Sequence, residues 1–246
     1  KPDSVSFMQK PEYSQILLQA LSQEKTEELV EIGVVAQGLS KATTLLAGQY
    51  QWVITNVPYL KRGKQADCLR EYCEMHYPTS QNDLGTVFLE RCLELCVVGG
   101  ATSIVLPQNW LFLTTYKKFR EKLLNNDTWQ LIARLGAGAF ETISGEVVKA
   151  ILITISRGNT TNSADGDLFE GSAPSGIIRG VDVSEPRTAE DKAKELITTE
   201  VKSVIQSKQL LNPDAVVIFY KSELNVLLSE VASINYGSKP GQTDRV

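Results

Sequence analysis

Apolar residues recur along the chain at two different periods, and the change between them marks its organisation. From 14 to 49 the spacing is helical: Ile16, Leu17, Ala20 and Leu21 share one face, and a second helical stretch runs from 27 to 46, with an interruption expected near Gly33 and Gly38. At Gln49-Tyr50 the period changes. Trp52-Val53-Ile54-Thr55 is a short apolar, β-branched run that stops at Asn56-Val57-Pro58-Tyr59, which predicts a buried strand ending in a turn. Polar and basic residues follow, including Lys61, Arg62 and Lys64, with a loop and a short helix expected over 66–76.

Asn82 or Asp83 can cap the next helix, since a side-chain oxygen there satisfies orphan amides of the first turn. Leu84, Val87, Phe88, Cys92 and Leu95 recur at helical spacing, Gly99-Gly100 is expected to close the helix, and 102–106 reads as a second strand. A helix between two apolar strands is a βαβ unit, so the two strands should be parallel with a right-handed crossover. The pattern then predicts a helix over 116–125, with Lys117, Lys118, Arg120 and Lys122 on its exposed side. Strands over 129–135 and 147–155 are joined by the glycine-rich connection 136–146, which is too short for a crossover helix, so this pair should be antiparallel. Residues 157–175 are loop-like, 186–209 are helical by Ala189, Ala193, Leu196, Val201 and Ile205, and 215–220 is a last strand-like run.

Composition narrows the class. With 246 residues, 42% of them apolar and 22% charged, the chain is globular rather than disordered or fibrous. Its apolar runs fall far short of the roughly 20 residues a membrane helix needs, and Lys1-Pro2-Asp3 opens no signal peptide, so the expected address is cytoplasmic and no membrane partner is expected. A net charge of −4 argues against a basic nucleic-acid coat while leaving room for local patches. Cys68, Cys73, Cys92 and Cys96, with His76 as the one histidine, match neither a zinc nor a disulfide framework, and reduced thiols are expected. The chain opens without Met and stops in the polar segment Gly241-Gln242-Thr243-Asp244-Arg245-Val246, which suggests a section of a longer protein.

Asn56-Val57-Pro58-Tyr59 after a buried strand resembles the Asn/Asp-Pro-Pro-Tyr/Phe motif of S-adenosylmethionine-dependent amino methyltransferases of DNA. The surroundings agree in order. Asp83-Leu84 through Leu93-Glu94-Leu95, then Gly99-Gly100, Val105-Leu106-Pro107 and Trp110-Leu111-Phe112, are similar to the segment that follows this motif in N6-adenine methyltransferases. The likeness continues through Leu135-Gly136-Ala137-Gly138-Ala139-Phe140 to Ser144-Gly145-Glu146-Val147-Val148, and its spread resembles the large adenine methyltransferases of type IIG restriction–modification and BREX-like phage-exclusion systems.

That resemblance implies an α/β fold, the C-terminal half of a Rossmann-like class I methyltransferase sheet with flanking helices. It divides the chain into a helical segment 1–49, a catalytic half 50–158, a peripheral α/β extension 159–222 and the start of a target recognition domain 223–246. The implied partner is double-stranded DNA with a flipped adenine. Adenine's exocyclic amine is a poor nucleophile because its lone pair is delocalised into the ring. Two acceptors on its N–H groups draw the nitrogen toward tetrahedral geometry, which is a task of positioning and electrostatics. In the family these are the Asn side-chain oxygen and the next carbonyl, here Asn56 and Val57, with Pro58 fixing the turn, Tyr59 stacking on the base and Phe140 on its other face. Asp83 borders the cofactor in the family; Lys61, Arg62 and Lys64 directly follow the motif and read either as contacts to DNA phosphates or as a solvated basic loop, and Asn109 either as a site residue facing DNA or as a loop cap.

Two departures stand out. Val57 replaces the usual proline and lacks its fixed φ, although Pro58 still keeps it out of the helical region. The glycine-rich cofactor loop expected upstream of Asn56 does not occur in 1–55, and the 136–138 glycines read as a turn delivering Phe140 rather than a substitute. The fragment alone is therefore expected to be inactive, and its first strand, lacking an outer neighbour, to be covered by residues 1–49 or by self-association through that edge. The competing reading is a catalytically inactive DNA-recognition or scaffold module of such a system.

Overall fold

The computed structural model describes residues 27–140, 148–158 and 176–219, with side chains placed from residue 34 onward. The expected face of Ile16, Leu17, Ala20 and Leu21, the stretch Ser144-Gly145-Glu146-Val147, the polar segment 159–175 and the expected start of a recognition domain lie outside the described residues.

Helix α1 (Glu27–Ala47) runs through Gly33 and Gly38 without the expected interruption. A glycine costs a helix only about 1 kcal/mol, which the flanking helix formers carry. Strand β1 (Tyr50–Asn56) follows, then α2 (Asp67–His76) and α3 (Leu84–Leu95), where Asp83 is the N-cap and accepts from the Gly85 amide at 2.8 Å. Strand β2 (Cys96–Pro107) begins at the last turn of α3. Gly99-Gly100 therefore does not end the helix. It forms a bulge within β2, so that Tyr50 pairs with Cys96 but Trp52 pairs with Ala101. Gly99 has φ +81°, and a Cβ on Gly100 would stand 2.9 Å from the Tyr50 carbonyl oxygen.

Next come α4 (Lys117–Asn126), β3 (Thr128–Gly136), β4 (Ala150–Ser156), β5 (Ile177–Asp182), α5 (Ala189–Thr198), β6 (Lys202–Ile205) and the single turn α6 (Gln206–Gln209). The helix expected over 186–209 is thus split. β6 pairs antiparallel with β5, Ile177 opposite Ile205, and this pairing overrides the helical spacing of Val201 and Ile205. Residues 216–219 form no strand: Val217 and Phe219 enter the core while the Ile218 amide donates to the Gln209 side chain.

Among the described residues the sheet has six strands in the order β1-β2-β4-β3-β5-β6. β1 and β2 are parallel, as the βαβ pattern requires, and β4 runs antiparallel between β2 and β3. β5 lies parallel to β3. The carboxyl ends of β1, β2, β3 and β5 therefore share one edge of the sheet. Beneath it Leu89, Leu106, Trp110, Phe119, Trp129, Ile132, Ile151 and Ile153 form a close-packed core.

One side chain expected at the surface belongs to that interior. Arg120 is fully buried and donates to the carbonyls of Trp110, Leu113, Asp214 and Ala215. Its planar guanidinium can saturate several carbonyls at once, so the basic stripe of α4 is interrupted there. Lys118 is exposed, Lys117 reaches Asp214 at 3.7 Å, and Lys122 pairs with the buried Glu90. Cys73, Cys92 and Cys96 are buried free thiols, and Cys68 is an exposed one.

Candidate active site

β1 ends at Asn56, whose Cα partner on β2 is Val105. From there the chain alternates sharply: Asn56 and Pro58 are exposed, Val57 turns into the core at 7% exposure, and Tyr59 is half-buried. Gly85 packs closely under this turn: a Cβ there would crowd the Asp83 carboxyl and Leu106, each at 3.2 Å, and would meet the Tyr59 ring at 3.5 Å. Val57 and Tyr59 thus anchor the turn from below while its polar member faces outward.

The following loop is tied back to the start of α3. Lys61 and Asp83 form an isolated antiparallel bridge, the Leu84 amide donates to the Leu60 carbonyl at 3.0 Å, and the Arg62 amide donates to Asn82 at 2.9 Å. The Arg62 guanidinium pairs with Glu74 at 2.9 Å, and Gln65 donates to the Leu60 carbonyl at 3.0 Å. Lys61 and Lys64 are exposed along this loop.

The Asp83 carboxyl acts on Tyr59. Burial holds the Asp83 carboxyl above its ordinary value against the opposing pull of the Gly85 and Leu60 amides. Burial, then the Asp83 carboxylate, pushes Tyr59 up to about 12, so its phenol is protonated at physiological pH. That phenol donates to Asn56 Oδ1 at 3.4 Å, a long bond to the atom that acceptor chemistry requires. Tyr116 is raised to about 12 by burial and then by the Asp83 carboxylate. Tyr116 heads α4 and carried no signal in the sequence, where it reads as one more apolar residue.

Asn56, Tyr59 and Asp83 are therefore gathered into one corner. Asn109 is exposed in the single turn after β2, beside the buried Gln108, whose Oε1 has no hydrogen bond among the described residues. Phe140 is half-buried and follows the turn that leaves the carboxyl end of β3. Asn109 and Phe140 thus lie on the same sheet edge as Asn56, the edge where open α/β sheets bind ligands. The 136–138 turn makes no cradle for a nucleotide: Ser184 and Arg187 pack against its two glycines. The described residues thus bring an exposed amide, a phenol and a carboxyl together at one corner of that edge.

The family model for the Eco57I restriction-modification methylase matches residues 8–140, and the chain belongs to that family. Its architecture is the class I methyltransferase fold, shared at 15% identity with a chain from a type I restriction–modification assembly (TM-score 0.52, covering 87% of this chain and 54% of that one). A DrdV–DNA complex aligns at 17% identity with a TM-score of 0.50, covering 69% of this chain and 18% of that one. Among curated proteins, the adenine-specific methyltransferase PglX of Lacticaseibacillus casei (strain Zhang) is 33% identical over 123 residues, 49% of this chain and 10% of that protein. The adenine-specific methyltransferase BrxX of Escherichia coli O9:H4 (strain HS) is 39% identical over 106 residues, 43% of this chain and 9% of that protein. The chain spans about a tenth of the length of these relatives. Among the described residues no helix is long and apolar enough to cross a membrane.

Proposed function

We propose that this chain is the base-side half of a DNA methyltransferase that places a methyl group on adenine N6 within a specific duplex site, in a restriction–modification or phage-defence system. The observation that carries the reading is the turn at the end of β1: an exposed Asn56 amide beside a protonated Tyr59, on the ligand-binding edge of a methyltransferase sheet. Family membership and the named adenine-specific relatives support it.

In this reading the target adenine leaves the stack and enters the corner, where its ring rests on Tyr59 and, from the other side, on Phe140. Its amine then takes the Asn56 Oδ1 bond that Tyr59 now donates to, with the Val57 carbonyl as second acceptor. Both draw the nitrogen lone pair out of the ring as the methyl transfers. S-adenosylmethionine, when bound, supplies that methyl as a sulfonium, with Asp83 at its border. Lys61, Arg62, Lys64 and Asn109 lie on the loops that flank the corner and would meet DNA phosphates.

The test is methyl transfer from labelled S-adenosylmethionine to duplex DNA, using the full product of the gene that encodes these residues. Asn56→Ala should abolish labelling while leaving DNA binding intact. Equal labelling by both proteins refutes the role of Asn56, and no labelling by either favours the inactive recognition module, in which the fold binds DNA without transfer.

A further inference from the structure

The resemblance that explains 50–156 assigns no task to β5, α5 and the loop 183–188 between them. In the structure this loop lies against the turn that leads to Phe140. Gly136 has φ +65°, and a Cβ on it would stand 2.7 Å from the Ser184 Cβ. Gly138 has φ +76°, and a Cβ on it would overlap the Arg187 carbonyl oxygen. Both positions demand glycine twice over, for left-handed backbone and for lack of room.

The loop is itself fixed from two sides. Asp182, the last residue of β5, accepts through Oδ1 from the Ser184 amide at 3.1 Å and hydroxyl at 2.7 Å. Through Oδ2 it accepts from Arg134 at 2.8 Å, its register partner on β3, and the Val183 amide donates to the Arg134 carbonyl at 2.9 Å. From α5, the Lys192 ammonium donates to the Val183 carbonyl at 3.1 Å and the Ser184 carbonyl at 3.4 Å, on a side chain only 2% exposed. A lysine is buried where acceptors replace its water, and here those acceptors are the backbone of the loop. The contacts run from α5 to 183–184 and from Ser184 to Gly136, while Arg187 of the same loop packs on Gly138, with Phe140 two residues further on.

Building on the assignment of Phe140 to the target base, we propose that the β5–α5 segment is a brace for the Phe140 turn, with Asp182 and Lys192 as positioning residues. Neither touches base or cofactor; both act by fixing the backbone that carries the ring. A segment that merely extended the sheet edge would need no such contact with the turn.

The experiment replaces Phe140 by 4-fluorophenylalanine in the full gene product and reads its fluorine resonance, alone and with Asp182→Ala or Lys192→Met. The brace predicts a resonance that narrows and moves toward that of the free amino acid in both variants. With unlabelled Phe140, the same variants should slow single-turnover methyl transfer by about tenfold or more. Emission of 2-aminopurine at the target position should change as it does in Phe140→Ala. Asp182→Ala combined with Phe140→Ala should be no slower than Phe140→Ala alone, since both act through one ring. Asp182→Asn, which keeps an acceptor for Ser184, should recover part of the rate. An unchanged fluorine resonance, or losses that multiply in the double variant, overturns the brace. A loosened resonance together with full activity of Phe140→Ala upholds the brace and removes Phe140 from the base site. Where Asp182→Ala fails to fold, Lys192→Met carries the same test.

Discussion

At the scale of single residues, Asp83 shows how one side chain serves local structure and site electrostatics together. It caps α3 through the Gly85 amide, and burial keeps its carboxyl above the ordinary range. Asp83→Ala should cost about 1 kcal/mol, the usual penalty for losing a helix cap. Asp83→Asn keeps an acceptor and discards a half-buried charge, so its melting temperature at pH 7 should equal or exceed that of the parent. Because the folded pKa lies above the unfolded one, the ionised carboxylate costs stability at neutral pH. That cost is relieved as pH falls through the folded value toward the unfolded value of about 3.9. The advantage of Asp83→Asn should therefore shrink between pH 7 and about pH 4, as followed by thermal melts; a gap that widens toward acid would contradict the buried position of the carboxylate. The cap was legible in the sequence, since Asp83 precedes a helical apolar pattern. Its coupling to Tyr59 and Tyr116 was not, because Tyr116 is 33 residues distant along the chain.

At the scale of elements, spacing read the βαβ unit and the antiparallel β3–β4 pair correctly, because these depend on local period and connection length. It misread elements whose partners lie elsewhere. Gly99-Gly100 resembles a helix stop, yet the close approach of the Tyr50 and Gln51 carbonyls makes it a strand bulge. The segment 202–205 keeps a helical spacing but lies beside β5, whose unpaired edge captures it. Arg120 sits in a run of cations that reads as a wet helix face, and only the folded chain brings four carbonyls around its guanidinium. Arg120→Met fills similar volume but strands those acceptors, so it should destabilise the fold by about 3 kcal/mol in urea denaturation. Lys118→Met on the exposed face of the same helix should change it by less than about 0.5 kcal/mol. Equal effects would mean that Arg120 is not buried as described.

At the scale of the whole molecule, β1 has a neighbour on one side only among the described residues, and the described part of the segment 1–49 does not pair with it. Trp52 and Ile54 on this strand are 60% and 75% exposed, and Val34, Val35 and Leu39 of α1 are also exposed. A long apolar edge strand is a template for pairing with another chain. The 246-residue chain should therefore sediment faster as its concentration rises, and Ile54→Lys should suppress that increase, since an edge lysine opposes strand addition. Concentration-independent sedimentation as a monomer would show that the edge is covered from within the chain.

The sequence by itself determined the α/β class, the strand that delivers Asn56 and the capped helix behind it. All of these rest on residues within one element or its immediate turn, where periodicity and backbone preference act directly. Tertiary structure alone decided that Tyr59 lies under the influence of Asp83, that Arg120 is an interior residue, and that the loop after β5 packs against the turn before Phe140. Those facts join positions tens of residues apart, and their energies come from desolvation and packing between elements, which exist only once the sheet has brought the elements together.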